Sequence, residues 1–153
     1  MSDILPSVEM MTVFASTKIH LHPDEFILAS LPLSEKELAL DAFKSLEPFS
    51  SVTFDHAEVS LILRSSDWDS MKHLFESSDA EGPYSAITFD IVLDLSLVGF
   101  LSVVSAVLAE AGISIYALST YLRDHIFVQS SHADEAVRKL DELIMRCRDQ
   151  KLL

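Results

Sequence analysis

"GFLSVVSAVLAEAGISIYALST", residues 99–120, carries two of the chain's three glycines, one at each end of an apolar helical pattern. Phe100, Val103, Val104, Val107 and Leu108 recur at the three- and four-residue spacing of a helix that buries one face. Gly112 stands just past that pattern, where the backbone of a helix end turns left-handed and a side chain is penalised. "ISIYALSTY" and "HIFVQ" follow as strands separated by the turn "LRD". On the other side, Ile87, Phe89, Ile91, Leu93 and Leu95 alternate with Thr88, Asp90, Val92 and Asp94, the pattern of one long strand or two laid end to end. A last helix begins near Ser131 and carries Val137, Leu140, Leu143 and Ile144, so residues 91–147 read βαββα.

Further upstream the same order recurs. "EFILASL" reads as a strand, and Ser34 with Glu37 forms a candidate capping box for a helix bearing Leu38, Ala39, Ala42, Phe43 and Leu46. Pro48 prevents its continuation, "FSSVTF" and "AEVSLILR" read as strands joined at Asp55–His56, and Asp67 is placed to cap a short helix that buries Trp68, Met71 and Phe75. "SSDAEGP", residues 77–83, has the composition of a loop. "STKIHLH" reads as a strand stopped by a turn at His22–Pro23–Asp24, and residues 1–16 as an extended arm. Helices interleaved with antiparallel strands predict an α+β fold of two ferredoxin-like βαββαβ units, the helices packed on one face of each sheet. The expected domains are the arm at 1–16, a first unit at 17–90 and a second at 91–153.

A chain of 153 residues with 49% hydrophobic and 23% charged residues buries a sizeable core without disulfides. Its net charge of −13, with only 11 scattered basic residues, opposes binding to a phosphate backbone or an anionic membrane. No apolar run approaches the roughly 18 residues of a membrane span, and the first residues lack a basic leader, so a cytoplasmic location is expected. Cys147, the single cysteine, sits on the apolar stripe of the last helix and reads as a small buried side chain. His20 and His22 share a strand face but are too few for a closed metal site. No nucleophile elbow, phosphate loop or dinucleotide fingerprint occurs, Asp67 and Asp69 read as helix-start acids, and His125 has no visible partner as a base. Neither catalysis, cofactor nor metal is expected.

"DLSLVGFLSVVSAVLAEAGISIYALSTYLRDHIFV", residues 94–128, resembles the ACT domain, through Gly99, "EAGISI", the "ALSTY" before a hairpin into "HIFV", and "DEAVRKLDEL" downstream. The likeness is to paired ACT modules, such as those of aspartate kinases and of cytosolic arginine-sensor proteins of animals. Over residues 17–90 it rests on element order and the "EFILASLPL" start. Leu122, Arg123 and Asp124 stand where the family usually has a short turn such as Thr-Asp, so that turn's contacts are not carried over. The resemblance implies a module that binds a free amino acid or similar metabolite at an interface between ACT units, changes its association with a protein partner or a second copy, and catalyses nothing.

Elementary physics suits the segment to that task. A helix start exposes up to four backbone donors and a partial positive charge, so the N–H groups of about Val98, Gly99, Phe100 and Leu101 can receive a carboxylate, with Leu97 beside them in the expected site. Asp94 and Ser96 can accept from an ammonium group, and the backbone of Ile113, Ser114, Ile115 and Tyr116 is expected at the other end of the ligand. The competing expectation is a ligand-free interaction or dimerisation scaffold, in which Gly99 only eases the start of the helix.

Overall fold

The computed structural model describes residues 6–151. The element order is α1 (Val8–Ala15), β1 (Lys18–Leu31), α2 (Lys36–Phe43), β2 (Ser51–Phe54), β3 (Val59–Arg64), α3 (Ser65–Met71), β4 (Asp79–Asp90), α4 (Phe100–Glu110), β5 (Tyr116–Ser119), β6 (Asp124–Gln129) and α5 (Ala133–Lys151). The fold is α+β, with antiparallel strand pairing and ferredoxin-like helices on one sheet face, as the sequence pattern requires.

Two compact units form, one from residues 23–84 and the other from residues 1–22 together with 85–153. These differ from the contiguous 17–90 and 91–153, because β1 and β4 each run through both units and the chain's beginning joins its second half. In the unit of residues 23–84, β3 lies between β2 and β1, with Phe26 to Leu31 paired antiparallel to Arg64 to Val59. Its core gathers Leu31, Leu61, Leu63, Trp68, Met71 and Phe75. In the other unit the strand order is β1, β4, β6, β5, and β5 pairs antiparallel to β6 from Tyr116↔Phe127 to Ser119↔Asp124. Its core holds Phe14, Phe89, Phe100, Leu108, Ile126 and Leu140, with Cys147 buried among them as expected.

The structure corrects several sequence expectations. The arm is instead a helix over Val8–Ala15, started by the Ser7 side chain, which accepts the Met10 N–H at 3.2 Å; residues 1–5 lie outside the described residues. Its two buried residues, Met10 and Phe14, sit one turn apart, and the Phe14 ring stacks on Phe100 at 4.7 Å. No turn breaks the chain at Pro23, since β1 continues to Leu31. Pro23 precedes the stretch paired with β3, so its missing N–H interrupts no bond of that ladder. Residues 79–83 belong to β4 and are not a loop, and at Gly82 an added Cβ would stand 2.6 Å from Ile27 Cδ1 and 3.0 Å from the Phe26 carbonyl oxygen. That glycine is there for close backbone approach within the sheet. The alternation after Ile87 leaves the strand at Asp90, and residues 91–99 form a loop. The capping box at Ser34 does not form; a 3₁₀ turn over Leu33–Glu35 leads into α2, and the Glu35 carboxylate accepts the Glu76 N–H at 2.9 Å. Nor does Asp67 cap α3, whose N-cap position is Arg64, with no side-chain bond to the helix's first turn.

Candidate ligand-binding crevice

Helix α4 carries the two positive-φ glycines at its ends, and the two differ in what surrounds them. Past the C-terminus, Gly112 has φ 72°, its N–H donates to the Ala109 carbonyl at 2.9 Å, and the Ile113 N–H donates to the Leu108 carbonyl at 2.9 Å. That pair of bonds is the Schellman arrangement, closed by the apolar contact of buried Ile113 and Leu108 in one core. At the other end Gly99 is the N-cap residue, with φ 100°, and it supplies no side-chain cap. The first turn of α4 thus presents backbone donors and the positive end of the helix dipole with no side-chain oxygen from its own cap.

This helix start forms one wall of a crevice of about 330 Å³, at the lower end of the roughly 300–1,000 Å³ usual for small-molecule sites. The loop from Leu93 to Leu97 makes a second wall, and the hairpin turn from Ser119 to Asp124 a third. The loop is fastened to the turn by the Leu93 N–H, which donates to the Leu122 carbonyl at 3.1 Å, and the turn is closed by the Thr120 N–H donating to the Arg123 carbonyl at 2.9 Å. Asp94 shapes the loop: its carboxylate accepts the Ser96 N–H at 2.8 Å and the Ser96 hydroxyl at 2.5 Å, and these bonds, the hydroxyl's first, hold its pKa below the ordinary 3.8. It is therefore an anion at neutral pH. Across the crevice Asp124 accepts the Ser119 hydroxyl at 2.5 Å, while Arg123 pairs with Asp90 at 3.1 Å.

Of the residues anticipated as a site, the structure brings Asp94, Leu97, Gly99 and Phe100 onto the crevice. Ser96 stands behind Asp94 as its hydrogen-bond donor, and Val98 points to solvent, 87% exposed. The segment Ile113 to Tyr116 does not line it: the Ile113 N–H is committed to the helix cap and its side chain to the core, Ser114 is exposed, Ile115 packs against that core, and the Tyr116 ring stands edge-on to Phe127. Ser119 to Asp124, which includes the turn Leu122 to Asp124 whose contacts were not carried over, takes its place as the facing wall. The signal for it was the polar "STYLRD" run between two strands, which only the hairpin register brings opposite Gly99.

His125 also differs from its sequence reading as a residue without a partner. It is buried, its Nδ1 lies 2.8 Å from the Thr88 hydroxyl and its Nε2 3.1 Å from the Thr120 hydroxyl. Burial, then the neighbouring His22, hold its pKa below the ordinary 6.5, against the opposing pull of Asp124. Among the described residues no group of three or more His, Cys, Asp or Glu side chains is placed to hold a metal ion, and no helix is long and apolar enough to cross a membrane.

Residues 79–142 match the sequence model of the ACT domain, a span that contains every residue lining the crevice. Solved structures share the architecture over a longer stretch. A Vibrio cholerae protein of unknown function, described as a possible transport protein, is 24% identical, with a TM-score of 0.71 over 89% of this chain and 96% of that one. An Agrobacterium tumefaciens protein is 21% identical, with a TM-score of 0.69 over 84% and 89% of the respective chains. The regulatory subunit of aspartate kinase from Thermus thermophilus is 10% identical, with a TM-score of 0.60 over 82% and 97%. At these identities the likeness is one of fold. No curated protein matches the chain in sequence.

Proposed function

We propose that this chain is a cytoplasmic regulatory module with two ACT-like units, resembling the aspartate kinase and arginine-sensor pairs, that binds a free amino acid and changes its association with a protein partner in response. The observation that carries this reading is the crevice at the uncapped start of α4, wholly inside the segment that matches the ACT domain. A bound zwitterion would lay its carboxylate toward the N–H groups of Gly99 to Leu101, where the missing side chain permits close approach, and its ammonium toward the Asp94 carboxylate. Such a ligand alters association only by its difference in affinity between two states of the module. Regulatory rather than catalytic work fits the crevice's ionisable groups: Asp94, Arg123 and Asp124 are each engaged by a neighbouring side chain.

The test is a thermal-shift screen against the twenty amino acids. A binder at a hundred times its Kd stabilises by about 2.7 kcal/mol, a readily measured rise in midpoint. A chain that responds to none of them does not bind amino acids. The second reading, a scaffold that associates without ligand, is favoured by one feature: Leu95, Val98 and Tyr121, at 74%, 87% and 78% exposed, stand on the loop and turn that frame the crevice. A stable dimer in sedimentation, unchanged by every amino acid, is the outcome that supports it.

A further inference from the structure

Three polar side chains connect the crevice turn to the far side of its sheet. The Thr88 hydroxyl on β4 lies 2.8 Å from His22 Nε2 on β1 and 2.8 Å from His125 Nδ1 on β6. The other nitrogen of His125 lies 3.1 Å from the Thr120 hydroxyl, which itself lies 3.1 Å from the Arg123 carbonyl oxygen. Each hydroxyl has one proton to give, and a carbonyl can only accept. With a neutral His125, one order satisfies every one of these contacts. Thr120 donates to the Arg123 carbonyl and accepts from His125 Nε2–H; His125 Nδ1, then bare, accepts from the Thr88 hydroxyl; Thr88 in turn accepts from His22 Nε2–H. Reversing the direction sends the Thr120 proton to His125 and takes it from the Arg123 carbonyl.

From this geometry we infer that His125 and Thr88 are positioning residues for the crevice: Thr120, committed to the Arg123 carbonyl, requires the proton at His125 Nε2, the Thr88 hydroxyl ties off the bare Nδ1, and the ring so anchored holds the turn from Thr120 to Arg123 in place. Thr88 does not line the crevice, so it acts only through His125. That order belongs to a neutral His125. Its burial and the charges around it favour that state: His22 on β1, itself edge-on to His20 at 4.8 Å, and Arg123, paired to Asp90 of β4, both disfavour a positive charge on the ring, while Asp124 favours one. Protonation at Nδ1 would turn that nitrogen into a donor and turn the Thr88 hydroxyl round toward His22 Nε2. The functional half of the inference rests on the crevice being the ligand site, but the hydrogen-bond order does not, so it is tested without ligand.

The experiment is nitrogen-15 NMR of the histidine rings in the full chain, together with amide hydrogen exchange at Thr120 and Leu93, at pH 7.5. The expected result is a His125 ring protonated at Nε2 alone. In Thr120→Val the ring becomes a mixture of tautomers, while in Thr88→Val it keeps its Nε2 proton but loses an anchor, and the two amides exchange roughly two- to tenfold faster, the loss of one hydrogen bond. Thr88→Ser, which restores the hydroxyl, returns the exchange rates to the starting values, and the Val103 amide inside α4 stays unchanged throughout. Should Thr88→Val not fold, Thr120→Val still tests the other end through the His125 tautomer. A His125 protonated at Nδ1 alone overturns the inference, as does a Thr120→Val chain with unaltered tautomer or a Thr88→Val chain with unaltered amide exchange. These outcomes leave the amino-acid screen untouched, so the two readings fail separately.

Discussion

The two glycines of α4 separate backbone strain from ligand contact when each is replaced by alanine. At Gly99 an added Cβ meets only Met10 Cε, at 3.9 Å, and at Gly112 it meets nothing within 4 Å. Neither substitution clashes. The cost is conformational: φ of 100° and 72° places an L residue in the left-handed region, at about 1–2 kcal/mol each. Gly99, further from the left-handed minimum near φ 57°, takes the larger penalty. For a chain of this length each 1 kcal/mol lowers the melting midpoint by about 2–4 °C, so falls of roughly 2–8 °C are expected. Gly112→Asn loses less than Gly112→Ala, because asparagine tolerates that cap position. Binding divides the pair. In titration calorimetry with whichever amino acid gives the largest thermal shift, Gly99→Ala weakens affinity beyond its effect on stability, while Gly112→Ala leaves affinity at the wild-type value. An unchanged melting midpoint in Gly99→Ala would refute the left-handed start of α4, and equal loss of affinity in both variants would refute the crevice as the site.

Other consequences are as direct. Phe14→Ala removes a fully buried ring stacked on Phe100, and urea unfolding should show a loss of about 3–5 kcal/mol, against near zero if the first sixteen residues were an arm. Stability should also fall in mild acid. The folded-state pKa of His125 lies below 6.5, so the unfolded chain takes up that proton first as pH drops. This contribution is whole above about pH 6.5 and is lost below it, and His125→Gln should flatten that part of the pH profile. Burial pushes the Cys147 thiol above its ordinary 9.0, so it should react with a thiol reagent only at the rate of unfolding, and faster labelling would contradict its place in the core.

Much of the second half was readable from pattern because its elements are long and strongly periodic. Helix α4 falls within a residue of its expected limits, and the Schellman cap at Gly112 follows from one glycine after a helical stripe. What escaped was decided by tertiary contact. Two turns of helix with two buried residues, Met10 and Phe14, make too weak a stripe to distinguish from an arm until Phe100 stacks on it. Gly82 looked like loop composition, yet the glycine is required by Ile27 on the adjacent backbone. The site divides the same way. Asp94, Leu97, Gly99 and Phe100 are local to the helix start and were legible, whereas the wall from Ser119 to Asp124 arrives through a hairpin register. The partner of His125 on β4 is 37 residues away in sequence, beyond the reach of local spacing.

The most direct measurement is amide shift mapping of the nitrogen-15-labelled chain, titrated with each of the twenty amino acids in turn. Binding as described moves the amides of Asp94 to Leu101 and of Ser119 to Asp124, with the first turn of α4 moving most, and leaves residues 113–116 as bystanders. Saturable shifts centred elsewhere, or none with any amino acid, would contradict it.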